Sequence, residues 1–153
     1  GNVRFRVEHT MQIEKYGLLF EDSPYNNEVG ENGVPKHVGV ARLTYGKDDW
    51  SVTWTASYFD STNDYEYYGS ETNTTTLNGE TVTFIDEAKW TTYHAVSGSF
   101  DYEDFNVIVG VANLFDEEPP RMSASGFELG NAGLYSQYDF IGRRVFANVR
   151  YNF

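Results

Sequence analysis

Four groups of side chains in this sequence have types and spacings that can do chemistry. Tyr65, Tyr67 and Tyr68 stand among Asp64, Glu66 and Glu71, in a stretch that runs on into Thr and Asn. Rings set so close can stack on a sugar face or an aryl ligand, and the interleaved carboxylates can hold a cation. Arg143 and Arg144 offer adjacent guanidinium forks for an anionic ligand or a lipopolysaccharide phosphate. Asp116, Glu117 and Glu118 form an acidic run. His94 with Ser97 or Ser99 is the one nucleophile–base arrangement in view. Each has a plainer reading: a solvated loop with interfacial tyrosines, arginines paired to Asp139 or a neighbouring strand, a solvated charge run, and a histidine near an apolar face.

Other signatures of catalysis are missing. The sequence has no Gly-x-Ser-x-Gly elbow, His-Glu-x-x-His, phosphate loop or dinucleotide fingerprint, so no catalytic residue and no cofactor is expected. Absence of Cys excludes disulfides, thiolate zinc sites and cysteine nucleophiles. The three histidines, His9, His37 and His94, lie in separate segments, and no metal site is expected from them. Eleven Lys and Arg against 23 Asp and Glu give a net charge of −12, which disfavours binding to a nucleic-acid backbone. The 153 residues suffice for one domain, and no apolar run approaches the roughly 18 needed for a spanning helix. No start Met or signal peptide precedes Val3, so an exported protein would be represented here by mature chain or part of one.

The elements that must position these groups have a period of 2. Val3, Phe5, Val7, Met11 and Ile13 alternate with Arg4, Arg6, Glu8, Gln12 and Glu14. Trp50, Val52, Trp54, Ala56 and Tyr58 repeat the pattern, as do Phe105 to Val111 and Val145, Ala147, Val149, Tyr151 and Phe153. Weaker strands are expected at 36–46 and 90–101, giving six strands and no helix. The connections alternate: 17–35, 61–89 and 114–141 are long, 46–49 and 101–104 short. A meander of this kind gathers its tight turns at one end and its large loops at the other, the layout of transmembrane barrels. A strand of about ten residues, at roughly 3.3 Å each and tilted near 45°, rises about 23 Å, close to an apolar band of about 25 Å. Tyr45, Trp50, Phe100, Tyr102, Phe105, Tyr151 and Phe153 fall beside the short turns, and Tyr16, Tyr58, Trp90, Phe115 and Phe140 toward the long loops. Two aromatic belts are what a membrane interface selects. The expectation is an all-β antiparallel transmembrane barrel meander.

The last forty or so residues carry three motifs in order: Asn113-Leu114-Phe115-Asp116 running into Pro119-Pro120, then Tyr138-Asp139 with Gly142-Arg143, then a final strand ending at Phe153. Together they resemble the end of TonB-dependent outer-membrane receptors. Gly33-Val34-Pro35 before a strand and Asp49-Trp50 opening another are similar to the same family. The resemblance implies that residues 1–153 are the carboxyl-terminal segment, the last six strands, of a barrel of about 22 strands plugged by an amino-terminal domain. Such a receptor sits in a Gram-negative outer membrane, loops extracellular and short turns periplasmic, and imports a scarce ligand with energy passed on by TonB. Siderophore-bound iron ranks first on family frequency.

The implied partners are the rest of the receptor, TonB through its plug, the barrel-assembly machinery, and outer-membrane lipid with lipopolysaccharide. Val145, Ala147, Val149, Tyr151 and Phe153 would be the assembly signal, and Tyr65, Tyr67, Tyr68 and Arg143 the candidate ligand contacts. Arg4, Arg6, Glu8, Gln12, Glu14, Arg42, Arg150 and Asn152 would face the plug. Two other readings stay open: a small self-contained outer-membrane barrel with a structural or adhesive role, and a soluble β-sandwich that binds carbohydrate through its Tyr-rich loop.

Overall fold

Alternating β-branched and aromatic residues suit a pleated surface with two unlike faces, and the chain uses them that way throughout. The computed structural model describes residues 1–17, 26–63, 74–123, 128–129, 132–133 and 137–152. The protein is all-β, with six long strands: β1 (Asn2–Met11), β2 (His37–Lys47), β3 (Trp50–Phe59), β4 (Thr91–Tyr102), β5 (Phe105–Ala112) and β6 (Arg144–Tyr151). They form one antiparallel sheet in chain order. Among the described residues β1 and β6 do not pair with each other, so the sheet is open at both edges.

The register keeps the two faces chemically separate. One row crosses all six strands as Phe5, Leu43, Trp54, Val96, Val111 and Val145, and the next as Val3, Tyr45, Val52, Gly98, Val109 and Ala147. The row between them, on the opposite face, reads Arg4, Thr44, Thr53, Ser97, Gly110 and Phe146. Thr44 and Thr53 share a hydrogen bond of 2.9 Å there, and Asn106 Nδ2 donates to Asp101 Oδ1 at 2.7 Å. Phe146 lies over Gly110, where a Cβ would stand 2.8 Å from the Val96 carbonyl.

The apolar face has no cover. Every residue of β1 and of β6 is exposed, and the surface of the chain, 11022 Å², exceeds the roughly 7,900 Å² of a compact monomer of this mass. The buried apolar residues among those described are Val34, Ala88, Met122 and Tyr138, all outside the six strands and at the long-loop end. A core of sorts therefore sits under the loops, not on the sheet.

The turns follow local chemistry. Asp48 and Glu103 take positive φ, 52° and 50°, in the two short connections. The long connections are not plain loops, as the sequence reading has them. Residues 61–89 contain a hairpin, Thr74–Leu77 with Glu80–Thr83, turned by Asn78 and Gly79 at φ 52° and 87°. Positive φ at both central residues is the turn that matches strand twist, and Asn-Gly is its usual sequence. Shorter ribbons pair Thr62–Asn63 with Glu87–Ala88 and Tyr16–Gly17 with Asn26–Asn27.

Candidate functional site

The motif residues of β5's exit and β6's entry, separated in sequence, fold onto each other. As β5 ends, Asn113 turns into the left-handed region (φ 47°), which its short amide tolerates. Its buried side chain closes the turn on Glu117: Oδ1 accepts the Glu117 amide at 2.8 Å, and Nδ2 donates to the Glu117 carbonyl at 3.0 Å. The Leu114 amide ties the turn to β4 by donating to the His94 carbonyl at 2.7 Å. Asp116, also left-handed, accepts the Arg143 amide at 2.7 Å and has the Arg143 guanidinium 4.0 Å away.

The other half of the clasp is built on Asp139. Its Oδ1 accepts the amides of Ile141 (3.0 Å) and Gly142 (3.3 Å), and its Oδ2 accepts Arg144 Nη1 at 2.6 Å. The Asp139 amide donates to the Tyr93 hydroxyl on β4 at 3.1 Å. Burial pushes this carboxyl up, but the hydrogen bonds from Arg144 and the two amides outweigh burial and hold it below the ordinary carboxylate range. Tyr138 is buried with Ala88 and Met122, and burial raises its hydroxyl. Pro119 and Pro120 are half-buried and carry the chain from the clasp toward Met122.

Two cavities flank the clasp, one on each face of the sheet. On the polar face a cavity of about 500 Å³ is lined by Ser57, Phe59, Tyr93, Tyr138, Asp139 and Arg144. Tyr93 accepts from Asp139 and keeps its own hydroxyl hydrogen to donate, while Arg144 bonds only through Nη1 among the described residues. Gln137 Nε2, beside it, adds a buried amide donor. That donor set suits an oxygen-rich acceptor ligand or an acidic surface. On the apolar face a cavity of about 740 Å³ is lined by Trp90, His94, Phe115, Glu117, Pro119 and Arg121. His94 meets the Phe115 ring edge-on at 5.1 Å and stacks on Trp54 at 5.6 Å.

The sequence-expected residues therefore divide four ways. Asp116, Asp139, Gly142 and Arg143 come together across the clasp, with Arg144 making the pairing to Asp139 and Asn113 closing the turn beside them. Leu114 and Phe115 reach His94 instead, Tyr138 packs with Ala88 and Met122, and Pro119 and Pro120 line the cavity on the apolar face. Tyr65, Tyr67 and Tyr68 lie outside the described residues, as does Phe153. Val145, Ala147, Val149 and Tyr151 share the apolar face of an edge strand. His94 sits on the apolar face, opposite Ser97 and Ser99, so those three share no site. Tyr93 and Gln137 escaped the sequence reading, because nothing local marks a tyrosine that receives a hydrogen bond from 46 residues away. Among the described residues no group of three or more His, Cys, Asp or Glu can hold a metal ion. No protein-family model, curated protein or solved structure matches the chain.

Proposed function

We propose that this chain is part of the wall of an outer-membrane active transporter of the TonB-dependent receptor type, importing a scarce ligand, siderophore-bound iron first among candidates. The observation that carries the reading is the uncovered apolar face, continuous across six antiparallel strands whose outer edges are both open. In water such a face and such edges invite aggregation. Lipid covers the face, and further strands of a closed barrel satisfy the edges, because hydrocarbon tolerates no unpaired backbone.

The aromatic pairs support the same reading. Tyr45 with Trp50 (5.5 Å) and Phe105 with Tyr151 (4.8 Å) gird the short-turn end, and Tyr58 with Trp90 (6.3 Å) the loop end. In this arrangement the polar face lines the lumen. Arg6 stands opposite Arg42 in register and pairs with Glu8 on its own strand, and an anionic plug surface would meet the Arg42 guanidinium beside them. The clasp fixes the last long loop against β4, and the polar cavity beside it opens toward the ligand path.

The test is membrane fractionation of the source cells followed by the intact mass of the protein containing this sequence. Recovery from the outer membrane in detergent, at a mass several times 17.5 kDa, is the expected result. Recovery in detergent at 17.5 kDa points instead to a small self-assembling barrel. Full solubility without detergent overturns the membrane reading and leaves a soluble binding module.

A further inference from the structure

Two of the three histidines, far apart in sequence, are brought into contact by the β1–β2 register. His9 Nε2 lies 3.1 Å from His37 Nδ1 across 28 residues of chain, and the rings meet end-on, their centroids 5.2 Å apart with 19° between their planes. The same register sets Met11 directly opposite His37, on the face it shares with His9. Directly opposed residues hold their Cβ atoms about 5 Å apart, within reach of a flexible thioether. No charged side chain lies on this face of β1 and β2 between Val3 and Met11 or between His37 and Tyr45.

We infer that His9, His37 and Met11 form a binding site for monovalent copper. Two nitrogens each about 2.05 Å from one tetrahedral ion stand roughly 3.3 Å apart. The observed 3.1 Å falls short of that by a few tenths of an ångström, and both rings swing so that their lone pairs converge on the ion. In the free pair one ring must donate the proton that the other accepts. A metal ion takes the place of that proton: both nitrogens become ligands, and the displaced proton moves to the other nitrogen of the donating ring, so that each imidazole stays neutral. Two imidazoles alone would serve zinc, nickel or copper, but a thioether selects the soft Cu(I) ion. Among the described residues neither ring is hydrogen-bonded to a carboxylate and no oxygen cage for a hard cation stands beside them. His9 shares its row with Gly39 and Tyr58, at the level of the loop-end aromatic belt, and Met11 lies one step nearer the loops, so the ion can reach the site from the aqueous boundary of the lipid-covered face.

The site stands on β1 and β2 alone and does not depend on what the whole protein transports. Its test uses the full chain in detergent micelles, anaerobically, with Cu(I) presented as its coloured bicinchoninate complex and colour loss reporting transfer. Wild type takes one Cu(I) per chain. His9→Gln and His37→Gln each weaken binding by at least about ten-fold, since even partners behind the ligands are commonly worth that much. Met11→Leu weakens Cu(I) binding and leaves Zn(II) binding within about two-fold, because the thioether is the soft ligand. His94→Gln changes neither.

Equal trypsin resistance of all variants shows that the fold is kept, and X-ray absorption of the loaded chain gives a shell of two nitrogens and one sulfur. Cu(I) transfer that survives the His9→Gln, His37→Gln double variant overturns the site, as does an absorption shell without sulfur.

Discussion

The two ends of the sheet are held by different physics. At the short-turn end, connections of two residues are closed by backbone geometry, with Asp48 and Glu103 in the left-handed region and the side chains largely in solvent. At the loop end, segments 113–117 and 137–144 are closed by the side chains of Asn113 and Asp139 within each segment and by Asp116, which reaches across 27 residues to the Arg143 amide. Burial separates them too: Val34, Ala88, Met122, Tyr138 and Asn113 are all at the loop end. A turn built from local geometry tolerates sequence change. A clasp built from specific side chains does not, and the difference locates where the molecule fixes the shape of its loops.

The largest effect expected is at Asn113. Alanine there loses both hydrogen bonds to Glu117 and still has to adopt φ 47°. The sum is about 3 kcal/mol. Glycine restores the backbone freedom and costs about 2 kcal/mol, the hydrogen-bond share alone. Urea midpoints of the detergent-solubilised chain, read by tryptophan fluorescence, order the two. Equal midpoints would show that left-handed strain contributes nothing at this position.

Gly142 and Gly79 set clasp against hairpin directly. Both have positive φ, 79° and 87°, so alanine is strained at either. A Cβ on Gly142 would also stand 2.8 Å from Asp116 Oδ1, whereas one on Gly79 meets nothing within 4 Å. Gly142→Ala should therefore cost about 2 kcal/mol and Gly79→Ala about 1 kcal/mol. Equal costs by the same urea measurement would mean that Asp116 moves aside freely, and the clasp would then be looser than its hydrogen bonds imply.

Asp139 gives the clasp an acid limit. Its folded carboxyl titrates below its unfolded value of about 3.9, so its contribution is complete above that value and is lost as pH falls through the lower folded one. The clasp should loosen in acid and not near neutrality. Asp139→Asn keeps an acceptor oxygen, costs about 1 kcal/mol at neutral pH, and removes this part of the acid dependence. Urea midpoints of the two proteins, followed between pH 7 and pH 3, separate them. Parallel profiles would show that the ionised carboxyl is not what holds Arg144.

The sequence displays faces well and registers poorly. Strands expected at 36–46 and 90–101 stand at His37–Lys47 and Thr91–Tyr102, because alternation against a polar face leaves little freedom in placing them. The closing of 113–116 on 139–144 is invisible in one dimension: each motif is legible, but their contact depends on β4, β5 and β6 pairing in one particular register. His9 and His37 are the same case, since one residue of slippage between β1 and β2 would put them on opposite faces. The hairpin within 61–89 is different, because Asn78-Gly79 announces it locally. It was hidden only by the length and polarity of the surrounding stretch.

Glu103 and Asp48 give the smallest effect and the sharpest contrast with the clasp. Both hold a left-handed φ near 50° in an exposed two-residue connection. Aspartate tolerates that conformation because its short carboxylate can hydrogen-bond its own backbone, whereas glutamate is one methylene too long to do so as well. Glycine removes the steric cost in the folded state but adds freedom to the unfolded one, and the two nearly cancel. Glu103→Gly should accordingly stabilise by about 0.5 kcal/mol, and Asp48→Gly by less. A loss on Glu103→Gly would mean that this side chain makes a contact the exposed turn does not require, and the short-turn end would then share the clasp's dependence on particular residues.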